Sequence, residues 1–273
     1  SRLALLQSAD ERLAALDARV AALTAEVTAA GERLSAQRRA AADRFANAVG
    51  DELAHLAMGS ARIQVAVTPR PLGPHGADDV EIQLAANSGA PARSVGRAAS
   101  GGELSRLMLA IEVVSVSGST PAALVPTFVP TFVPTFVFDE VDAGVGGKAG
   151  LDVGARLAAL ATHAQVVAVT HLAQVAAFAD RHLVVHKSDD GSVTASAVRE
   201  VEGDERLREL ARMMGGGTSE AGLEHARVLL AEATTRRRER HTAATEVAPA
   251  RRAGAAKTRR GARSPSAVAP DIT

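Results

Sequence analysis

Leu6, Leu13, Val20, Val27 and Leu34 stand seven residues apart, and Ala9, Leu16, Leu23 and Ala30 follow the first four of them by three. These are the a and d positions of a coiled coil. The residues between them are mostly Ala, Arg, Glu and Asp, and the first proline is Pro69, so the segment is predicted to be one long helix. A packed surface helix would need a less strict spacing than four heptads show. One helix cannot bury such a seam alone, so the pattern demands a partner helix, from another chain or from a part of the same protein outside this sequence. The sequence starts at Ser1, already inside the helical pattern, and reads as a fragment of a longer protein.

The 273 residues suffice for one large domain or two modest ones. With no Cys, a disulfide framework and a cysteine zinc site are both excluded. There is no Trp and no Tyr and there are six Phe, which disfavours an aromatic platform for single-stranded nucleic acid. No apolar run reaches the roughly 18 to 20 residues of a membrane span, and no signal pattern opens the chain, so the expectation is a soluble cytoplasmic protein with no membrane partner. Formal charge is balanced overall but segregated: residues 234–273 hold ten Lys and Arg against three acids. That stretch is rich in Ala, Pro, Ser and Thr without hydrophobic period, and is expected to be a disordered basic tail, a solubiliser or a contact for DNA phosphates.

Beyond Met58 apolar residues alternate: Ile63, Val65 and Val67, then Val80, Ile82 and Leu84, around a stretch containing Pro69, Pro71, Gly73, Pro74 and Gly76. This predicts a β-hairpin with a long loop. Phe136-Val137-Phe138 and residues 166–169 are short continuous apolar runs, each followed by a helical pattern, as in parallel strands covered on both faces. Residues 183–186 and 193–198 suggest a second hairpin, and helices are expected near 205–214 and 219–235.

Three segments carry chemistry. In Ala99-Ser100-Gly101-Gly102-Glu103-Leu104-Ser105-Arg106, a capping residue and two glycines open a helix, where backbone N–H groups can receive an anion such as phosphate. Ser100 and Glu103 also have the spacing of a capping box, which closes a helix start with no ligand. In Thr135-Phe136-Val137-Phe138-Asp139-Glu140-Val141-Asp142, an apolar strand delivers adjacent carboxylates at its end. Neighbouring side chains on a strand point oppositely, so one can hold a hydrated Mg²⁺ while the other orients and deprotonates water; two solvated acids at a strand end are the plainer alternative. In Gln165-Val166-Val167-Ala168-Val169-Thr170-His171, an imidazole at a strand exit can reach a terminal phosphate, or be a surface residue.

In this order and spacing the segments resemble the C-terminal half of an ABC-type ATPase head: signature motif, Walker B aspartate with catalytic glutamate, D-loop and switch histidine. The strings ASGGELSR, FDEVDAGVGG, VTHLAQVAAFAD and ELARMMGG are similar to the bacterial RecN family of DNA-repair proteins, relatives of the SMC (structural maintenance of chromosomes) ATPases. The resemblance implies an α/β fold, the C-terminal lobe of an ABC/SMC-type P-loop NTPase head, preceded by a long coiled-coil helix. It divides the chain into an arm at 1–44, the lobe at 45–233 and the tail at 234–273. It further implies ATP and Mg²⁺ as cofactors, Asp139 as the metal ligand, Glu140 as the base, His171 as the sensor of the γ-phosphate, and Ser100, Gly101, Gly102, Glu103 and Asp142 at the nucleotide. ATP would be sandwiched between two heads in a homodimer, in the service of recombinational repair of DNA double-strand breaks.

Two features depart from that pattern. No G-x-x-x-x-G-K-[ST] loop occurs; the nearest stretch, residues 142–149, has Asp142 and Ala149 where Gly and Ser or Thr belong. Gly144-x-Gly146-x-x-Ala149 is only a weak dinucleotide fingerprint, since the carboxylates intervene after the strand. The Walker A half of the head is therefore an expected partner, the alternative being a truncated, inactive coiled-coil scaffold. Second, Val-Pro-Thr-Phe is written three times from Val125, an expansion expected to lie outside the sheet because Pro126, Pro130 and Pro134 lack N–H groups.

Overall fold

The computed structural model describes residues 2–87, 89–98, 100–118, 133–189, 194–217 and 219–259. They form two compact units: residues 1–145 with 167–169, and residues 146–166 with 170–273. The lobe expected at 45–233 is thus divided between them.

The first unit begins with α1 (Arg2–His55), one helix through the heptads and beyond the expected end of the arm. Leu13, Leu16, Val20, Leu23 and Val27 are 41–64% exposed, so the seam is unoccupied along these positions. Further on the helix becomes core: Val49 and Leu53, with Leu56 just past its end, are fully buried. Against it pack β1 (Arg62–Gly73) and β2 (Gly76–Ala85), an antiparallel hairpin in which Ile63 faces Leu84, Val65 faces Ile82 and Val67 faces Val80. The loop is shorter than its prolines suggested. β1 runs on through Pro69 and Pro71, the register shifts between Pro69 and Gly73, and Gly76 makes the turn with φ +94°. The hairpin tip is clasped to α1: buried Asp78 accepts bonds from Ser35 Oγ (2.8 Å) and Arg38 Nη1 (3.2 Å), while Arg38 Nη2 donates to His75 O (2.8 Å). The Ser35 hydroxyl first, then Arg38, hold the Asp78 carboxyl below the ordinary range. β3 (Arg93–Ser94) extends the sheet beside β2, followed by the single turn α2 (Val95–Ala98).

α3 (Gly101–Gly118) buries Leu107, Leu109, Ala110 and Val113 on the same core. The strand expected before the carboxylates is β4 (Thr135–Phe138), and the one expected before His171 is β5 (Gln165–Ala168); the two are neighbours, with Val169 N–H donating to Phe138 O at 2.9 Å. Two copies of the Val-Pro-Thr-Phe repeat lie outside the described residues.

The second unit is a helical cluster with a hairpin. α4 (Gly147–Leu160), α5 (Ala173–Ala176), α6 (Gly203–Met213) and α7 (Glu220–Arg259) contribute Leu151, Ala155, Val175, Leu207, Leu210, Ala226 and Leu229 to its interior, with Phe178 just past α5. The hairpin β6 (His182–Asp189) and β7 (Thr194–Val201) pairs Val185 with Val198. α7 corrects the expectation of disorder from Thr234, since the backbone is helical to Arg259. The first residues of that stretch are fastened both within the helix and to distant acids. Thr234 and Thr235 donate to the carbonyls four residues back, Arg236 pairs with Asp152 (3.0 Å) and Glu232 (2.9 Å), and Arg237 pairs with Asp180 (2.7 Å). The remainder of the tail, 260–273, lies outside the described residues. Among the described residues no helix is long and apolar enough to cross a membrane.

Candidate nucleotide-facing site

The capping box forms. Ser100 N–H donates to Glu103 Oε2 (2.9 Å), Glu103 N–H donates to Ser100 Oγ (3.4 Å), and the Ser100 hydroxyl also reaches Glu103 Oε2 (3.1 Å). These bonds to Ser100 hold the Glu103 carboxyl below its ordinary range. The box satisfies the N–H of Glu103 itself, and Gly101 and Gly102 follow Ser100 at the positive end of the helix dipole. Closing a helix start and receiving an anion are therefore compatible at α3.

β4 ends at Phe138 and is followed by Asp139 and Glu140, both exposed. Glu140 has φ +55°, a left-handed backbone that non-glycine residues rarely adopt and that costs on the order of 1 kcal/mol or more. Ala143 N–H closes the turn on Glu140 O (3.0 Å), and Val145 N–H closes a second on Asp142 O (3.1 Å). Asp142 itself is buried.

Strand end and helix start touch. A Cβ on Gly102 would stand 2.8 Å from Ala143 Cβ and 2.9 Å from Glu140 O, so glycine is required there by packing, independently of any ligand. A Cβ on Gly101 would stand 3.0 Å from Glu140 Oε2, which puts that carboxylate beside the start of α3. One turn further along, Ser105 Oγ donates to Asp139 O (2.6 Å), while Arg106 Nη1 donates to Ala143 O (2.8 Å) and Val141 O (3.4 Å). Neither Ser105 nor Arg106 was singled out from the sequence, where an arginine in a helical run reads as a solvated charge. Only its burial, which depends on residues 35 to 37 positions away, reveals it.

Ser100, Gly101, Gly102, Glu103, Asp139, Glu140 and Asp142 thus share the first unit. His171 belongs to the second, exposed after β5 between Thr170 and Leu172, whose N–H donates to Thr170 Oγ1 (3.0 Å) at the entry to α5. α5 is held from behind by Arg206, whose Nη2 donates to Ala176 O (3.2 Å), Ala177 O (3.2 Å) and Ala179 O (2.8 Å). No group of three or more His, Asp or Glu side chains converges among the described residues, so there is no all-protein cage for a cation. An exposed lone carboxylate such as Asp139 nevertheless suits Mg²⁺, which keeps most of its waters and takes one or two carboxylates plus phosphate oxygens.

No family model matches the chain. Among curated proteins it is 53% identical over 213 residues to the DNA repair protein RecN of Streptomyces coelicolor, covering 73% of this chain and 35% of that protein. It is 43% identical over 251 residues to the DNA repair protein RecN of Mycobacterium leprae, covering 84% and 40%. Among solved structures, the Smc head domain with a coiled coil and joint from Pyrococcus yayanosii aligns with a TM-score of 0.52 at 20% identity, covering 77% of this chain and 36% of that one. This likeness establishes the fold, an α/β lobe of SMC-head type with its coiled-coil helix. The chain spans about a third of the length of the curated relatives it matches. On sequence identity across nearly three quarters of its length, together with that fold, the chain belongs to the RecN family.

Proposed function

We propose that the chain is the C-terminal part of an SMC-like ATPase head that serves recombinational repair of DNA double-strand breaks. The observation that carries this reading is the joint surface of α3 and β4, which offers an anion-receptive helix start and two exposed carboxylates within one unit. In the assembled head Asp139 would hold Mg²⁺, which would supply positive charge beside the phosphates. Glu140 orients the attacking water and takes its proton. Ser100, Gly101 and Gly102 receive the γ-phosphate held by an opposing head, Asp142 shapes the loop between them, and His171 reads the terminal phosphate. DNA contact falls to the basic residues of the tail beyond Arg238, since Arg236 and Arg237 are engaged by Asp152, Glu232 and Asp180.

A Walker A half would find an apolar face to pack on. Val137 is 69% exposed, Val167 44% and Val169 58%, a bare apolar face on strands whose other face buries Phe138. A partner lobe carrying the Walker A loop would cover that face, and its antiparallel helix would fill the α1 seam. The test is co-purification of the N-terminal segment of a full-length relative with this chain. Val137→Glu is expected to abolish retention of that segment. The chain's own unfolding free energy in urea should change by no more than about 1 kcal/mol, because the side chain is already in water. Retention unaffected by Val137→Glu would remove this face from the interface.

A further inference from the structure

We infer that Arg106 is a positioning residue that fastens the phosphate-facing start of α3 to the loop carrying Glu140 and Asp142, so that the two move as one body. The inference rests on the ATPase reading above and assigns a role to a residue which that reading leaves unused.

Three contacts join helix and loop across gaps of more than 30 residues: Gly102 against Ala143 and Glu140 O, Ser105 Oγ on Asp139 O, and Arg106 on Val141 O and Ala143 O. The third is costly. Arg106 is 7% exposed, its Nε is buried without a partner among the described residues, and desolvation holds the guanidinium below the ordinary arginine range against the charges of Glu103 and Asp142. A leucine, such as its buried neighbours Leu107 and Leu109, would fill the volume without burying a cation. What leucine lacks is a donor for the two carbonyls of that turn, both of which accept from Arg106 Nη1, and lysine would bring its donors on a more strongly hydrated ammonium that is costlier to bury. The charges of Glu103 in the capping box and of Asp142 in the loop both favour the Arg106 cation. The turn it grips starts at Glu140, held in a left-handed conformation that surrounding contacts must maintain. An anion engaging Ser100 to Gly102 therefore acts on a body that includes the backbone of the base.

The experiment uses Arg106→Met and Arg106→Lys. In this chain, amide hydrogen exchange at Ala143 and Val145, whose N–H groups close the two turns, is expected to quicken about tenfold in both variants. The hairpin amides of Ile63 and Leu84 should keep wild-type protection, and the Lys variant supplies the reading if the Met variant does not fold. In the protein completed with its Walker A segment, kcat should fall about tenfold with KM within about twofold, because ground-state binding is retained while the base is misplaced. A merely structural Arg106 would lower the urea midpoint and leave exchange at Ala143 and Val145, and kcat, at wild-type values; that result overturns the inference. Should the unsubstituted completed protein fail to turn over ATP, the ATPase reading falls by itself, and the fastening is decided by exchange at Ala143 and Val145.

Discussion

Glu140→Gln, in a head completed by the Walker A segment, is expected to cut ATP turnover by about 100-fold or more, the range a positioned general base contributes. Nucleotide affinity should stay within a few-fold, and ATP-bridged dimers should accumulate because the step that separates them is blocked. The substitution is clean for a geometric reason: Gln matches Glu in size and places no new demand on the left-handed backbone already present at this position. Asp139→Asn should behave differently, weakening Mg²⁺-dependent nucleotide binding itself. Equal binding defects in the two variants would contradict the separation of metal and base roles between these adjacent residues after β4.

Gly154→Val is expected to destabilise the second unit by about 3 kcal/mol, near the upper end for overpacking a core. In an ordinary helix the removal of a glycine is favourable by up to about 1 kcal/mol. Here a Cβ would stand 2.5 Å from Phe178 Cδ2 and 3.1 Å from Gln174 O, and Phe178 is itself buried among Leu151, Ala155 and Leu210. The phenyl ring cannot retreat without opening that cluster. One turn earlier Gly150 meets Gln174 Cβ at 3.1 Å, so the two glycines together form the track along which the chain after His171 lies against α4. Urea unfolding would check this. A neutral or stabilising Gly154→Val would mean that α4 and α5 do not approach as described.

What could be read beforehand was local. The heptads of α1, the alternation of β1 and β2, the boundaries of β4 and the Ser100–Glu103 box all follow from period, capping chemistry and neighbours a few residues away. What escaped depends on distant partners. The tail was read as disordered because its composition lacks an apolar period, yet Arg236 is fixed by Asp152, 84 positions earlier, and Arg237 by Asp180. Pro69 and Pro71 suggested a loop, but a register shift on an outer strand accommodates them. Gly102 was legible as an exposed N–H, whereas its stronger constraint is the approach of Ala143. Arg106 gave no signal at all, because nothing adjacent to it marks its burial.

The central claim is that this chain carries the base, the metal ligand and the phosphate-receiving helix start of an ATPase, while the phosphate cradle lies elsewhere. Steady-state ATP hydrolysis by the purified chain, alone and then mixed with a separately made Walker A segment, tests it most directly. The account predicts no turnover above background for the chain alone and turnover on mixing, abolished by Glu140→Gln. Hydrolysis by the chain alone, or a stable mixed complex that remains inactive, would contradict it.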